Sequence, residues 1–339
     1  MNTLAKVLSS VAIGNPQSRD NMSVYPLKVP NGHQRRYHTL DEALKAKTFE
    51  VKEVSEGGAV PILTVKNTGA LPVLLVIGEE LIGAKQNRVL NTSLLVPTGA
   101  SMPIPVSCVE AGRWAYRTAT FGSGDSTSHF YLRKAQTENV TRSLRTKTAN
   151  LDETQTTPIM ERARMYDAEQ GEVWAEVSRK MSAHSTTSST RALHDVYEQT
   201  GPLVTEYLES FQAPEAEGIL VTIDGQIMGV DLFDHHDTLK ALWGKLLRGY
   251  ALDAVERKTT QSFRAATAGE PQATAAPAVD QGQLTAFLKA AQAVEPEAYD
   301  AIGIGKDLRV STEQVSGSSL LWEDRLVHTS LFNARAKHS

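Results

Sequence analysis

Residues 78–114, GEELIGAKQNRVLNTSLLVPTGASMPIPVSCVEAGRW, set charged and amide side chains between strongly apolar runs. The apolar residues 73–77 lead straight into Glu79 and Glu80, then Lys85, Gln86, Asn87 and Arg88 follow in a row, and a second apolar stretch begins. Burying such groups is costly unless each one is paired, so a chain that concentrates them beside core strands is building either a structural polar network or a site. The residue types suit an anion site. Arg88 and Arg113 can each grip a phosphate or carboxylate through two parallel hydrogen bonds, and Lys85 adds a point charge. Asn87 and Asn91 offer neutral donors and acceptors for sugar hydroxyls or a base edge, with strand ends and bulges as their plainer use. Trp114, next to Arg113, offers a stacking wall for a planar ligand or a core residue.

Acid–base chemistry needs one carboxyl with a raised pKa and one that stays ionised. In an extended segment Glu79 and Glu80 point to opposite faces, so they cannot serve together. Glu80 and Glu110 are therefore the catalytic candidates, against a plain role in salt bridges to Lys85, Arg88 or Arg113. The GEELIGAK segment fails as a phosphate loop: Ala84 separates Gly83 from Lys85, no Ser or Thr follows, and two glutamates would repel phosphate. Cys108 shares a strand face with Met102, Ile104 and Val106 and reads as a small buried hydrophobe. In the run Asp234, His235, His236, Asp237, neighbouring histidines on a helix point about 100° apart, and capping explains the aspartates. No metal site is assigned, and nothing in the spacing specifies a cofactor. His328 reads as a satisfied core histidine.

The 339 residues are 41% hydrophobic and 22% charged, an ordinary globular composition. A net charge of -4 and a pI near 6.2 argue against a nucleic-acid binder. The basic residues Arg133, Lys134, Arg142, Arg145 and Lys147 are spread by polar neighbours and read as a solvated face. The first residues lack the sustained apolar stretch of a secretory signal, no window is long enough to span a bilayer, and the single cysteine allows no internal disulfide. A cytoplasmic location without membrane attachment is the expectation.

The elements that would position these residues change character along the chain. Residues 49–121 alternate and break like strands, with Gly, Pro and Asn clusters between them. Residues 124–257 open with a polar Ser/Thr-rich connection and continue as helices; within them Asp224-Gly225 marks a tight hairpin, and an apolar stripe from Leu239 to Ala254 marks a helix. Residues 259–283 read as a flexible Ala/Pro-rich excursion, and residues 284–332 as a helix and closing strands. The expectation is a single α+β domain over residues 1–339, with a largely antiparallel or sandwich-like β layer, helices from the second half packed on it, and C-terminal strands completing the sheet.

The blocks GEELIGAKQNRVLN, IPVSCVEAGRW and GQIMGVDLFDHHDTLKALWGKLLRGYALDA resemble the ADP-ribosylglycohydrolase and rhodanese-phosphatase superfamily associated protein domain, in discontinuous pieces over residues 50–332. The resemblance implies a link to NAD and ADP-ribose metabolism and supplies no catalytic residues. With the site chemistry, it leads to the expectation of a protein that binds an ADP-ribose-like or other phosphorylated nucleotide ligand, with hydrolysis as a further option. Arg88, Arg113 and Lys85 would hold anionic groups, Asn87 would orient the sugar, and Glu80 or Glu110 would act on water or a leaving group. The alternative is a non-enzymatic interaction or scaffold protein whose motif is a structural polar network.

Overall fold

The computed structural model describes residues 2–30, 33–55, 57–149, 157–268 and 279–338. The fold is α+β with mostly antiparallel sheets. The chain divides into two compact units where the sequence suggests one domain: Met1–Arg35, Tyr197–Glu297 and Leu308–Ser339 form the first, Arg36–Val196 and Ala298–Asp307 the second. The segments interleave, so no shift in composition marks a boundary. No helix among the described residues is long and apolar enough to cross a membrane.

In the first unit, Met22–Lys28, Gly218–Ile223, Gln226–Phe233, Arg325–Asn333 and Val315–Trp322 lie side by side in that order, all antiparallel. The closing strands thus complete a sheet begun at Met22–Lys28, not the one formed by residues 49–121. Asp224 and Gly225 both take positive φ in the hairpin, as the Asp-Gly pair predicts. The helix His236–Ala268 buries Leu239, Leu242, Leu246, Leu247, Tyr250, Ala251 and Ala254 along one stripe. It runs through residues 259–268, which composition assigns to the excursion; residues 269–278 lie outside the described residues, and a helix resumes at Gln281–Gln292. His328 is buried and stacked on Phe233, with Asp231 Oδ1 and Ser330 Oγ both next to its Nε2. Both partners meet the same ring nitrogen inside the core, where the trio ties adjacent strands together.

The second unit carries the motif. Its larger sheet runs Phe121–Thr127, Glu79–Gly83, Arg88–Leu90, Ser101–Cys108, Ile62–Asn67, Phe49–Glu53. Ser101–Cys108 joins the two halves, pairing through residues 101–105 with Ile62–Asn67 and through residues 106–108 with Arg88–Leu90. The sheet curls into a half-barrel that brings Phe121–Thr127 back into contact with Phe49–Glu53. The apolar stretch expected as one strand over residues 89–96 is split. Arg88–Leu90 stays in the curled sheet, while Leu94–Val96 pairs with Val73–Leu75 in a smaller one. Residues 91–93 turn the chain between them, helped by Ser93 Oγ accepting from the Ile77 amide at 3.0 Å.

The polar connection after Gly124 is in fact a long helix, Phe130–Thr148. Its buried face includes Arg133, Gln136, Thr137, Asn139, Thr141 and Ser143 beside Phe130, Leu132, Val140 and Leu144. A helix whose inner face is itself polar shows no apolar stripe, which is why periodicity misses it. Arg133, expected on a solvated face, is 1% exposed.

Candidate functional site

Glu79–Gly83 and Arg88–Leu90 form an antiparallel hairpin with Glu80 opposite Val89 and Leu81 opposite Arg88. Residues 84–87 close it. Gly83 has φ +121°, and a Cβ there would collide with Thr118 Oγ1; Ala84 takes φ +38° and donates its amide to the same hydroxyl at 3.0 Å. Thr118 therefore pins a turn that most side chains would refuse. The alternation separates the two glutamates as the extended backbone requires. Glu79 Oε2 accepts from the Val76 amide at 2.8 Å, whereas Glu80 Oε1 lies 3.4 Å from Asn87 Nδ2 and its Oε2 lies 3.3 Å from His194 Nδ1.

Arg113 and Glu110 form a clamp at the centre of this loop. Arg113 Nε donates to Glu110 Oε1 at 2.8 Å and Nη2 to Oε2 at 2.6 Å, a two-pronged pair with both residues buried. The remaining donors go to the carbonyls of Ala84 (2.7 Å), Ala115 (2.9 Å) and Gly83 (3.3 Å) and to Asn87 Oδ1 (3.2 Å). A guanidinium has five N–H groups, and all five have protein acceptors here. Arg113 therefore holds the hairpin turn and has no donor left for a ligand. Glu110 is equally committed: besides Arg113 it accepts the Asn87 amide at 2.9 Å. Burial alone would raise its carboxyl, but hydrogen bonds from Arg113, the Asn87 amide and Thr190, with the Arg113 charge, hold it below the ordinary carboxylate value. That direction suits a permanently ionised anchor, not a general acid.

This shift has a consequence for stability. A carboxyl with a lowered folded pKa contributes stability that is fully present above its unfolded value, near 4.5, and is lost as pH falls through the folded value. Glu110→Gln is accordingly less stable than wild type near neutral pH, and the gap closes on acidification below about pH 4.5. Urea unfolding of both proteins from pH 7 to pH 3 measures it. Because Asp20 and Asp300 are also held low, wild type alone cannot isolate the effect; a gap independent of pH would exclude it.

Asn91 is likewise engaged, donating to the Tyr166 carbonyl at 3.0 Å and accepting from Ser107 Oγ at 2.7 Å. Cys108 is buried, its Sγ 3.3 Å from Gln86 Oε1, and burial pushes its thiol up despite the Arg88 charge. It is a packed residue without thiolate character.

Arg88 differs from all of these. It is 0% exposed, and its Nη1 donates to Gln86 Oε1 at 3.0 Å, yet Nε and Nη2 have no hydrogen-bond partner among the described residues. Burial pulls its guanidinium below the ordinary value and the Arg113 charge adds to this, while Cys108, Glu53 and Glu110 act the other way. Its Cζ lies 5.8 Å from the ring centroid of Trp114. Lys85 Nζ donates to the Gly57 carbonyl at 3.0 Å and sits between two aromatic rings, 5.1 Å from Trp114 and 5.2 Å from Tyr116. Trp114 is 48% exposed and Tyr116 50% exposed, so Trp114 is a surface ring beside two cations and not a core residue.

Of the residues singled out from sequence, Arg88, Lys85 and Trp114 thus come together around one ring. Glu80, Asn87, Glu110 and Arg113 form an adjoining network linked through Asn87, and Asn91 serves the loop that leaves the sheet. Tyr116, His194 and Glu53 were missed. Phe49 and Val51 are buried in Phe49–Glu53 while Lys52 is exposed, so Glu53 falls on the inward phase of the strand, a charge where alternation calls for an apolar residue. That signal is readable in FEVKE. His194 carries no such signal.

Elsewhere, His235 and His236 do not diverge as expected, because the helix starts only at His236; their rings stack at 4.7 Å, and donor atoms of His235, His236 and Asp237 lie within 4.8 Å of one another. Asp237 already lies 3.1 Å from His236 Nε2 and 3.5 Å from His235 Nδ1. A groove of about 460 Å³ lined by Lys47, Lys66, Thr120 and Phe121 among others includes none of the motif side chains.

The sheet and its contents define an α+β protein with a charge-dense buried cluster at a curled β layer, opening on an exposed pair of aromatic rings. The chain belongs to the ARPP-1 family, the ARG and Rhodanese-Phosphatase-superfamily-associated Protein domain, which it matches over residues 10–332. The match takes in residues 10–49, ahead of the motif blocks. No curated protein and no solved structure matches the chain.

Proposed function

We propose that the chain binds an ADP-ribose-like or other phosphorylated nucleotide ligand, with Arg88 as the anion anchor, Lys85 as a second positive charge and Trp114 as the stacking surface. The observation that carries this reading is the Arg88 side chain, which buries two guanidinium nitrogens without a hydrogen-bond partner among the described residues. Buried donors are ordinarily satisfied, and an exception beside an exposed aromatic ring is what an anion site looks like before its ligand arrives. The family name points in the same direction through its association with ADP-ribosylglycohydrolases.

Hydrolysis is the finer part of the reading. Glu80 is the carboxylate with acceptor capacity left, since its two contacts are long, whereas both Glu110 oxygens are committed. The competing scaffold reading draws support from the internally satisfied set Asn87, Asn91, Glu110 and Arg113.

Thermal unfolding with inorganic phosphate, pyrophosphate, AMP, ADP-ribose and NAD separates the two. A ligand present at 100 times its Kd stabilises by about 2.7 kcal/mol, which raises Tm by about 5–10 °C for a unit of this size. ADP-ribose and AMP are expected to produce that rise, and chromatography of the same samples reads turnover. No shift with any phosphorylated compound supports the scaffold.

A further inference from the structure

Glu53, like Arg88, has buried polar atoms without a hydrogen-bond partner among the described residues. Both its carboxylate oxygens are shielded from solvent, and neither has a hydrogen-bond partner among the described residues. It stands on the inward phase of Phe49–Glu53, opposite Leu63. Its surroundings are fixed by Gly58, whose φ is +73°. A Cβ built at Gly58 would lie 3.3 Å from Glu53 Oε2, 3.3 Å from Trp114 Cζ2 and 3.4 Å from Lys85 Cδ. Glu53, Lys85 and Trp114 thus converge closely on the Gly58 backbone, where even a Cβ would be tight. The same indole has Arg88 Cζ 5.8 Å from its centroid and Lys85 Nζ 5.1 Å from it. A carboxylate with no hydrogen-bond partner and a guanidinium with two unpartnered nitrogens, among the described residues, thus lie by one aromatic ring, close enough for the Glu53 charge to act on Arg88 but not hydrogen-bonded to it.

This pairing constrains the ligand. A simple anion would satisfy Arg88 and be repelled by Glu53. A ligand that satisfies both must carry its negative charge at one end and hydrogen-bond donors at the other, with a planar or apolar body able to lie against Trp114. A ribose phosphate fits, because a carboxylate can accept from two neighbouring hydroxyls at once, one to each oxygen. Resting on the reading of Arg88 as an anion anchor, we propose that Glu53 accepts the vicinal hydroxyls of the ligand's ribose and makes the site selective for ribose phosphates over the phosphate group alone. Glu53 is then a specificity residue: it contributes to holding the sugar and disfavours any anion that lacks it.

The test is calorimetric titration of ADP-ribose and of inorganic pyrophosphate into wild type and Glu53→Gln, with circular dichroism to confirm the fold. The amide keeps the shape, loses the charge and replaces one acceptor with a donor. ADP-ribose is expected to bind Glu53→Gln about 10–100 times more weakly, the loss expected for hydrogen bonds to a charged group. Pyrophosphate binding is expected to be unchanged or tighter, since a repelling charge is gone. A ligand lacking the hydroxyl pair, the 2′,3′-dideoxy form of AMP, should bind wild type and variant alike, while AMP itself should discriminate between them. Equal weakening of ADP-ribose and pyrophosphate would make Glu53 a frame residue and overturn the inference, as would equal binding of ADP-ribose to both proteins. If wild type binds pyrophosphate but not ADP-ribose, the Arg88 anchor stands and the ribose assignment falls. If wild type binds neither, the anchor fails, and the ribose assignment with it.

Discussion

Arg88→Met loses the response to phosphorylated nucleotides while the unliganded protein stays at least as stable as wild type. The side chain is wholly buried, and two of its nitrogens have no hydrogen-bond partner among the described residues, so the folded state carries a desolvated charge that its surroundings do not fully compensate. Methionine matches the length and flexibility of the arginine stem and brings no polar atom. Gln86 Oε1 loses the Nη1 donor but still has the Cys108 thiol at 3.3 Å, so the substitution leaves no new bare acceptor. The expected outcome is a urea midpoint unchanged or raised, with affinity for ADP-ribose weakened at least about 100-fold, equivalent to two charge-assisted bonds lost. Such a trade of stability against function is the mark of a site. A drop of more than about 2 kcal/mol in stability would show instead that Arg88 is structural, on the scale of lost buried hydrogen bonds.

Arg113→Met gives the reverse profile and the largest loss of stability of any single change at the motif, about 3–5 kcal/mol. Removing this guanidinium takes the charge partner from the buried Glu110 carboxylate and breaks the bonds to the carbonyls of Ala84, Ala115 and Gly83 at the strained turn, leaving Ala84 with the Arg117 amide at 2.9 Å. Adding Glu110→Gln to Arg113→Met removes the stranded charge, so the double variant should be more stable than Arg113→Met alone, and the cycle of four proteins in urea gives the coupling directly. An Arg113→Met protein within about 1 kcal/mol of wild type would mean that the clamp is not what holds the hairpin, on the scale of a weakly coupled surface pair.

These two arginines are indistinguishable in the sequence. Each lies within a few residues of an apolar strand, and each suits an anion. What separates them is where their donors go, and Arg113 spends three of its bonds on main-chain carbonyls, groups that every residue has and that therefore leave no trace in residue types. The features legible beforehand are those set by backbone periodicity: the opposite faces of Glu79 and Glu80, the buried face of Cys108, the Asp224-Gly225 hairpin and the stripe on His236–Ala268. Periodicity fails where the buried face is polar, as on Phe130–Thr148, and where a turn of Asn, Thr and Ser sends one apolar stretch into two sheets. Glu53 is legible as a charge on the inward phase of a strand. The division into two units was not, because it depends on which distant strands pair.

The most direct measurement is the side-chain Nε–H resonance of Arg88, assigned by its loss in Arg88→Met, followed by ¹⁵N–¹H spectroscopy as ADP-ribose is added. A buried donor that gains an anionic acceptor should shift downfield saturably, with the same dissociation constant that calorimetry gives for wild type. An Arg88 resonance that stays in place while other signals saturate would put the ligand elsewhere and contradict the assignment of this cluster as the binding site.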